Sequence, residues 1–253
     1  MEKSNKTIVL EAYKYIIGQC NTELIDTYIS DNYKQHSPTV KDGRAGLTEM
    51  IGFLKMIPRT GETASPIVRA IEDGDLVAVH LDIAFMGKRM AVIDIFRVED
   101  GKLAEHWDAA QEYPIGMNSV ITITNGPAII EQGADTSKNK LLVKRFFAEA
   151  FEKRNLALAT EHLSAGYTEH ALEILLSAGK ETVFLNARME AGQTKTHRIL
   201  GEGDFTVVQS EGIIENIPFV FYDIFRIENN KIAEHWSVQQ QVPTAMAHSN
   251  GMI

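Results

Sequence analysis

Residues 94–111 (DIFRVEDGKLAEHWDAAQ) and 223–240 (DIFRIENNKIAEHWSVQQ) are one sequence written twice, 129 positions apart. Eleven of the eighteen positions are identical, and Val98/Ile227 and Leu103/Ile232 are conservative exchanges. Self-similarity at a fixed spacing is the mark of a chain built from repeated structural units. A chain of 253 residues accommodates two units of roughly 115–130 residues, each large enough to bury its own core. The reading is a first domain over 1–116, a linker over 117–137 and a degenerate second copy over 138–253. The copies differ at their most chemically loaded point, where His106-Trp107-Asp108 becomes His235-Trp236-Ser237.

The formal charge of −9 argues against nucleic acid and against anionic membrane surfaces, since phosphate recognition needs a basic face. The lone cysteine, Cys20, rules out an intrachain disulfide and a thiol zinc site. It lies at the end of an apolar-periodic helix with no activating base suggested nearby, so it reads as an inert thiol. The N-terminal stretch carries Glu11 and Lys14 inside its apolar run, which is not the pattern of a secretion signal. No run approaches the roughly 18 apolar residues of a membrane span. A cytoplasmic protein is expected.

Each half shows the same order of elements. Residues 6–19 place Ile8, Val9, Ala12, Tyr15 and Ile16 at helical spacing. Asn21-Thr22-Glu23 reads as the capped start of a short helix through Tyr28. A third helix spans 44–56, with Leu47, Met50, Ile51 and Leu54 on one face. After Pro58 and Gly61 come β-branched runs at 66–72, 75–86, 89–98 and 102–111, separated by turn residues. The second half gives helices at 140–152, 156–163 and 179–189, then strands at 194–202, 205–215, 217–227 and 231–240. Residues 120–124 form a candidate extra strand in the linker. Helices followed by an antiparallel meander define an α+β layout, with helices on one face of a sheet.

The closing hairpin fixes which side chains face each other. Glu99-Asp100-Gly101 fits a three-residue loop with a left-handed residue at Gly101, matched by Asn230 in the second copy. That loop sets Phe96 against Ala104, Asp94 against His106 and Val92 against Asp108. Strand side chains alternate, so Asp94, Phe96, His106 and Asp108 share one face and Trp107, Ile93 and Ile95 the other. A two-residue loop would separate Asp94 from His106. His80 is the polar residue of an otherwise apolar strand, on a face that parity alone leaves open. His36 follows the second helix in NYKQHSP, with His170 as its counterpart in GYTEH. Arg97 and Arg226 are expected to cover the sheet or pair with Glu105 and Glu234.

The segment D-x-F-R-x-x-x-G-K-x-x-E-H-W-D, with NYKQHSP and the Asp73-Gly74-Asp75 turn before VAVH, resembles the SnoaL-like polyketide cyclases. These belong to the NTF2-like superfamily, which also holds ketosteroid isomerases. The resemblance covers each half, most strongly 33–46 and 71–111. It implies tandem cone-shaped, cystatin-like domains, each a curved antiparallel sheet wrapped by three helices around an apolar pocket. It also implies that Asp108, following His-Trp, is a general acid/base. Those cyclases commonly carry a histidine fourteen residues earlier, where this chain has Asp94.

An acid/base catalyst in the first domain would use Asp108, with Asp94 and His80 as further catalytic candidates. His36, Phe96 and His106 would contact ligand there, and His170, Asp223 and His235 in the second. A carboxylate in an apolar pocket has a raised pKa and suits proton abstraction beside a carbonyl. That chemistry needs no cofactor, and none is expected. His36, His80, His106, Asp94 and Asp108 lack HxxxH or HExxH spacing, so no metal site is expected. The expected partner is a small apolar molecule, with the halves forming an intrachain pseudo-dimer and further oligomerisation left open. The alternative is a non-catalytic binding module. The Asp94–His106 pair recurs as Asp223–His235, which suits a structural role. Asp108 does not recur, which suits a functional one.

Overall fold

The computed structural model describes residues 3–57, 65–114, 120–171 and 194–253. Helix α1 (Asn5–Ala12) starts where the Ser4 hydroxyl accepts from the Thr7 amide. Helix α4 (Thr136–Phe147) starts where Asp135 accepts from the Lys138 amide. Each cap satisfies one of the amides left unpaired at a helix start. Both helices run on into one π-helical turn, Tyr13–Ile17 and Ala148–Glu152. Helix α4 begins four residues before the apolar period suggests, because its first turn is the polar Thr136-Ser137-Lys138-Asn139.

The short helices α2 (Ile25–Tyr28) and α5 (Leu156–Thr160) follow Asn21 and Asn155, whose side chains cap the turns at their starts. Each leads into a strand that periodicity did not reveal, β1 (Ile29–Gln35) and β6 (Leu163–Glu169). The expected helix over 156–163 therefore ends early. In β1 only Ile29, Tyr33 and Gln35 are buried, so the alternation is too weak to read. Helix α3 spans Gly43–Met56. Its expected counterpart at 179–189 lies outside the described residues.

The remaining strands are β2 (Ile67–Asp73), β3 (Leu76–Phe85), β4 (Lys88–Glu99) and β5 (Lys102–Glu112). In the second unit they are β7 (Lys195–Glu202), β8 (Phe205–Ile214), β9 (Ile217–Glu228) and β10 (Lys231–Gln241). The two sheets have matching order, β1-β5-β4-β3-β2 and β6-β10-β9-β8-β7. Each first strand runs parallel to the last one of its unit.

The hairpin differs from expectation in an instructive way. Glu99 pairs with Lys102, so the turn has two residues, Asp100 and Gly101, both at positive φ (50° and 74°). Asn229 and Asn230 do the same at 51° and 58°. Positive φ at both positions is the type I′ turn that matches strand twist. A two-residue turn alone would put Asp94 and His106 on opposite faces. The ladder steps from Val98↔Leu103 to Arg97↔Glu105, leaving Ala104 as a bulge that restores the parity. Asp94 then pairs with Asp108, and His106 with Phe96.

The sheet faces opposite the helices pack against each other and form a shared core containing Ile93, Ile95 and Trp107 with Val207, Tyr222 and Trp236. The contacts interchange between units. Arg69 of β2 lies over the Trp236 ring at 4.1 Å, and Arg198 of β7 over Trp107 at 3.7 Å. Lys6 pairs with Glu202, and Lys140 with Asp73. The Glu72 amide donates to Glu202, and the Gly201 amide to Asp73. Such reciprocity is that of an isologous two-fold interface, here within one chain. Residues 120–124 are not a strand. They lie along the second unit, where Thr122 O accepts from His170 Nδ1 and Asn125 O from Trp236 Nε1.

Candidate active site

The helix-covered face of the first sheet opens on a cavity of about 840 Å³. Its walls are mostly apolar, from Ala12, Tyr13 and Ile16 on the first helix, Leu47, Met50 and Leu54 on α3, and Leu81, Val92 and Phe96 on the sheet. Polar groups collect at one end: Tyr33, Gln35, Ser37, Asp94, His106 and Asp108. Tyr33 and Gln35 come from β1 and Ser37 from just beyond it. Asp94 comes from β4, and His106 and Asp108 from β5.

Their hydrogen bonds fix the proton positions. Gln35 Oε1 accepts from the backbone amides of His36 and Ser37, both at 2.9 Å. An amide oxygen is therefore what faces His106 Nδ1 at 2.8 Å, so Nδ1 carries a hydrogen. The other ring nitrogen, Nε2, is hydrogen-bonded to Asp94 Oδ1 at 3.1 Å. Burial works against charge on His106. The Asp94 hydrogen bond and the charges of Asp94 and Asp108 outweigh it and raise its pKa. The ring stacks on Phe96 with centroids 4.5 Å apart.

Asp108 is held differently. Its Oδ2 accepts from the Ser37 hydroxyl at 3.0 Å. Its buried Oδ1 has no hydrogen-bond partner among the described residues. Burial pushes its carboxyl up to about 6, and the neighbouring Asp94 adds to this, against the pull of His106 and the Ser37 bond. Tyr33, whose hydroxyl accepts from Gln35 Nε2 at 3.2 Å, is raised by burial and by the Asp108 charge.

Of the residues singled out in the sequence, Asp94, Phe96, His106 and Asp108 come together here. His80 does not. It pairs with Ile93 on the face between the units, where Nδ1 accepts from Arg69 at 2.7 Å. Burial and the Arg69 charge push its pKa well below the usual histidine value. Strand parity against β4, hidden in the sequence, puts it on the side away from Asp94. His36 also lies outside the cavity, stacked on Trp107 and 2.9 Å from Glu105. His170 repeats this on Trp236 and Glu234. Arg97 and Arg226 pair with Glu105 and Glu234 as expected.

The second unit keeps the scaffold and changes the chemistry. His235 lies between Glu169 at 2.8 Å and Asp223 at 3.1 Å, and all three side chains are buried. Burial opposes its charge, but the two carboxylates prevail and hold its pKa at about 9. Ser237 takes the place of Asp108, and Phe146, Phe147 and Phe151 pack with Phe225 in that unit's core.

Asp94, His106 and Asp108 offer ligand atoms within 4.8 Å of one another. Both ring nitrogens of His106 are already engaged, so a cation would have to displace Asp94 or Gln35 to reach an imidazole lone pair. Tyr33, Gln35 and Ser37 are the site residues that the sequence alone does not single out, although they flank His36 in the NYKQHS segment.

The arrangement is that of an α+β protein with carboxylates, Asp94 and Asp108, lining a mostly apolar cavity. The SnoaL-like domain family model matches residues 10–106, which is most of the first unit. No curated protein matches the chain. Similar solved structures include a candidate ketosteroid isomerase from Kribbella flavida DSM 17836, 13% identical, covering 44% of this chain and 83% of that one at a TM-score of 0.36. IdmH, a candidate polyketide cyclase from Streptomyces antibioticus, is 18% identical over 43% of this chain and 93% of its own, TM-score 0.36. TsrD from Streptomyces laurentii is 21% identical over 44% and 91%, TM-score 0.35.

Proposed function

We propose that the first unit is a cofactor-independent acid/base catalyst for a small apolar carbonyl compound, of the aldol/cyclase or isomerase type, and that the second unit is its non-catalytic half. The observation carrying this reading is Asp108: a carboxyl raised to about 6 at the polar end of an apolar cavity, with one oxygen unpartnered among the described residues. A base with a pKa near the working pH combines a usable ionised fraction with strength enough to take a carbon-bound proton.

In the proposed step Asp108 Oδ1 removes a proton alpha to the carbonyl. The C–H electron pair becomes a C=C bond, and the carbonyl π pair moves to oxygen. The Tyr33 hydroxyl, with its own proton to give, donates to that oxygen. Asp108 then returns the proton to a different carbon in an isomerisation. In a cyclisation the nucleophilic carbon attacks a second carbonyl, whose oxygen takes the proton. His106 places positive charge beside Asp108 and limits how far its pKa climbs, while Asp94 works the other way.

The test is proton NMR of aldehydes, ketones and β-keto esters in heavy water with wild-type protein and Asp108→Asn. Deuterium uptake at an alpha carbon that falls by about 10²–10⁴-fold in Asp108→Asn is expected for loss of a general base. Uptake unchanged in the variant would remove Asp108 from the mechanism. The apolar lining also suits a carrier of a small apolar ligand. Tight binding without exchange, undisturbed by Asp108→Asn, would favour that second reading.

A further inference from the structure

We infer that the C-terminal tail of the second unit is a working part of the first unit's site: residues 247–251 hold Gln35 and Ser37 where these engage His106 and Asp108. Four successive residues of the first unit each bond to the tail. Gln35 O accepts from Asn250 Nδ2 at 3.0 Å. His36 Nδ1 donates to Gly251 O at 2.9 Å. Ser37 O accepts from His248 Nε2 at 2.9 Å. Pro38 O accepts from the Ala247 amide at 2.8 Å. Asn250 Nδ2 also reaches Asp42 Oδ1 at 2.8 Å, and Asp42 accepts from the Gln35 amide. Ala247 itself lines the cavity.

The strapped residues are the ones that contact Asp108 and the His106 ring beside it. Gln35 Oε1 fixes the His106 ring, and the Ser37 hydroxyl is the one hydrogen-bond donor to Asp108 among the described residues. His248 has a defined tautomer: Nε2 donates to a carbonyl, and Nδ1 accepts from the Asn250 amide at 3.2 Å. Gln35, Ser37, His248 and Asn250 are therefore linked in one network. His248 and Asn250 are positioning residues, acting through Ser37 and Gln35.

The crossing is reciprocal. After β5 the linker lies on the second unit, where His170 Nδ1 donates to Thr122 O at 2.8 Å, the counterpart of His36 and Gly251. A contact repeated about the pseudo-two-fold belongs to the architecture rather than to a loose end. It also gives the degenerate unit a role, since it completes its partner's pocket wall.

The catalytic consequence rests on the acid/base reading of Asp108, but the test does not need turnover. The titratable groups around Asp108 are Asp94, His106, Tyr33, Tyr222 and, from the tail, His248. In the full chain, ¹³C NMR would follow the Asp108 carboxyl through its titration, and ¹⁵N NMR the His106 ring. The comparison is wild type against the double variant His248→Ala/Asn250→Ala and against His248→Gln, which keeps a donor to Ser37 O. Freeing the strap loosens Ser37, whose hydroxyl bond favours the ionised Asp108. The Asp108 midpoint is expected to rise above about 6, by on the order of one pH unit. The His106 Nδ1 signal is expected to shift, and His248→Gln to stay within a few tenths of a unit of wild type. If deuterium exchange is found, its kcat falls in the double variant more than its KM changes. Should the double variant not fold, Asn250→Ala alone carries the comparison. A folded variant with Asp108 and His106 titrating as in wild type would overturn the inference, whether or not the protein proves to be an enzyme.

Discussion

Asp108 and Ser237 occupy one strand position in two copies of a scaffold, and the difference has a thermodynamic signature. The Asp108 carboxyl sits at about 6 in the fold, above the value of about 3.9 for an unfolded aspartate. Between those values the native state holds a proton that the unfolded chain has released, so stability falls as pH rises through that window. Asp108→Asn removes this loss. The variant is expected to match wild type below about pH 4 and to be more stable above pH 6, by on the order of 1–3 kcal/mol. Urea denaturation of both proteins at pH 4 and pH 7.5 checks it, and equal stabilities at pH 7.5 would contradict a raised Asp108. Under the proposed function, the stability that Asp108 costs is the usual trade-off at active sites.

His235 has the opposite relation. Its folded pKa of about 9 lies above the unfolded value of about 6.5. Its contribution is complete below pH 6.5 and is lost as pH rises through 9. The melting temperature is expected to fall between pH 7 and 9 more steeply in wild type than in Glu169→Gln, where one of the two carboxylates no longer favours the imidazolium. His235→Ala leaves Glu169 and Asp223 buried together and is expected to cost about 3–5 kcal/mol.

At the scale of elements, the hairpin sets which side chains face the cavity. Gly101 sits at φ 74° with nothing near its Cβ position, so Gly101→Ala carries only conformational strain, about 1 kcal/mol. Deleting Ala104 removes the bulge and leaves the ladder in register, because Leu103 still faces Val98 and Glu105 then follows opposite Arg97, which keeps Asp108 opposite Asp94. The deletion variant is expected to keep His106 and Asp108 on the cavity face and to unfold cooperatively, as read by near-UV circular dichroism and calorimetry; loss of both would mean that the bulge is needed for more than parity. The three-residue loop expected from the sequence and the two-residue turn plus bulge of the fold shift parity alike, so the faces agree although the turn differs. A bulge at an alanine leaves no mark that periodicity can detect.

At the scale of the molecule, two sheets share a core, and each tryptophan is clamped between a histidine of its own unit and an arginine of the other. Arg69 is the more deeply held. Its guanidinium donates to the carbonyls of Thr124, Asn125 and Pro127 as well as to His80. Burial holds its pKa near 10. Trp236→Ala is expected to cost about 3–5 kcal/mol and to separate the units' unfolding into two calorimetric transitions. A single transition at nearly unchanged temperature would mean that the interface does not couple them. Among the described residues no helix is long and apolar enough to cross a membrane.

The sequence by itself determined that the chain is a tandem and that both units are α+β. It also placed Asp94, Phe96, His106 and Asp108 on one face, because repeats and strand alternation are local patterns written in residue order. Asp108 stood out because its copy lacks it. Only the tertiary structure decided where His80 and His36 go, since the face of His80 depends on a cross-strand register and His36 is claimed by Trp107 and the tail. The roles of Gln35 and Ser37 were equally hidden. They come from a parallel edge strand laid beside β5 and a tail some two hundred residues away in the chain. Contacts of that sequence separation are set by how the units dock, and no local pattern encodes them.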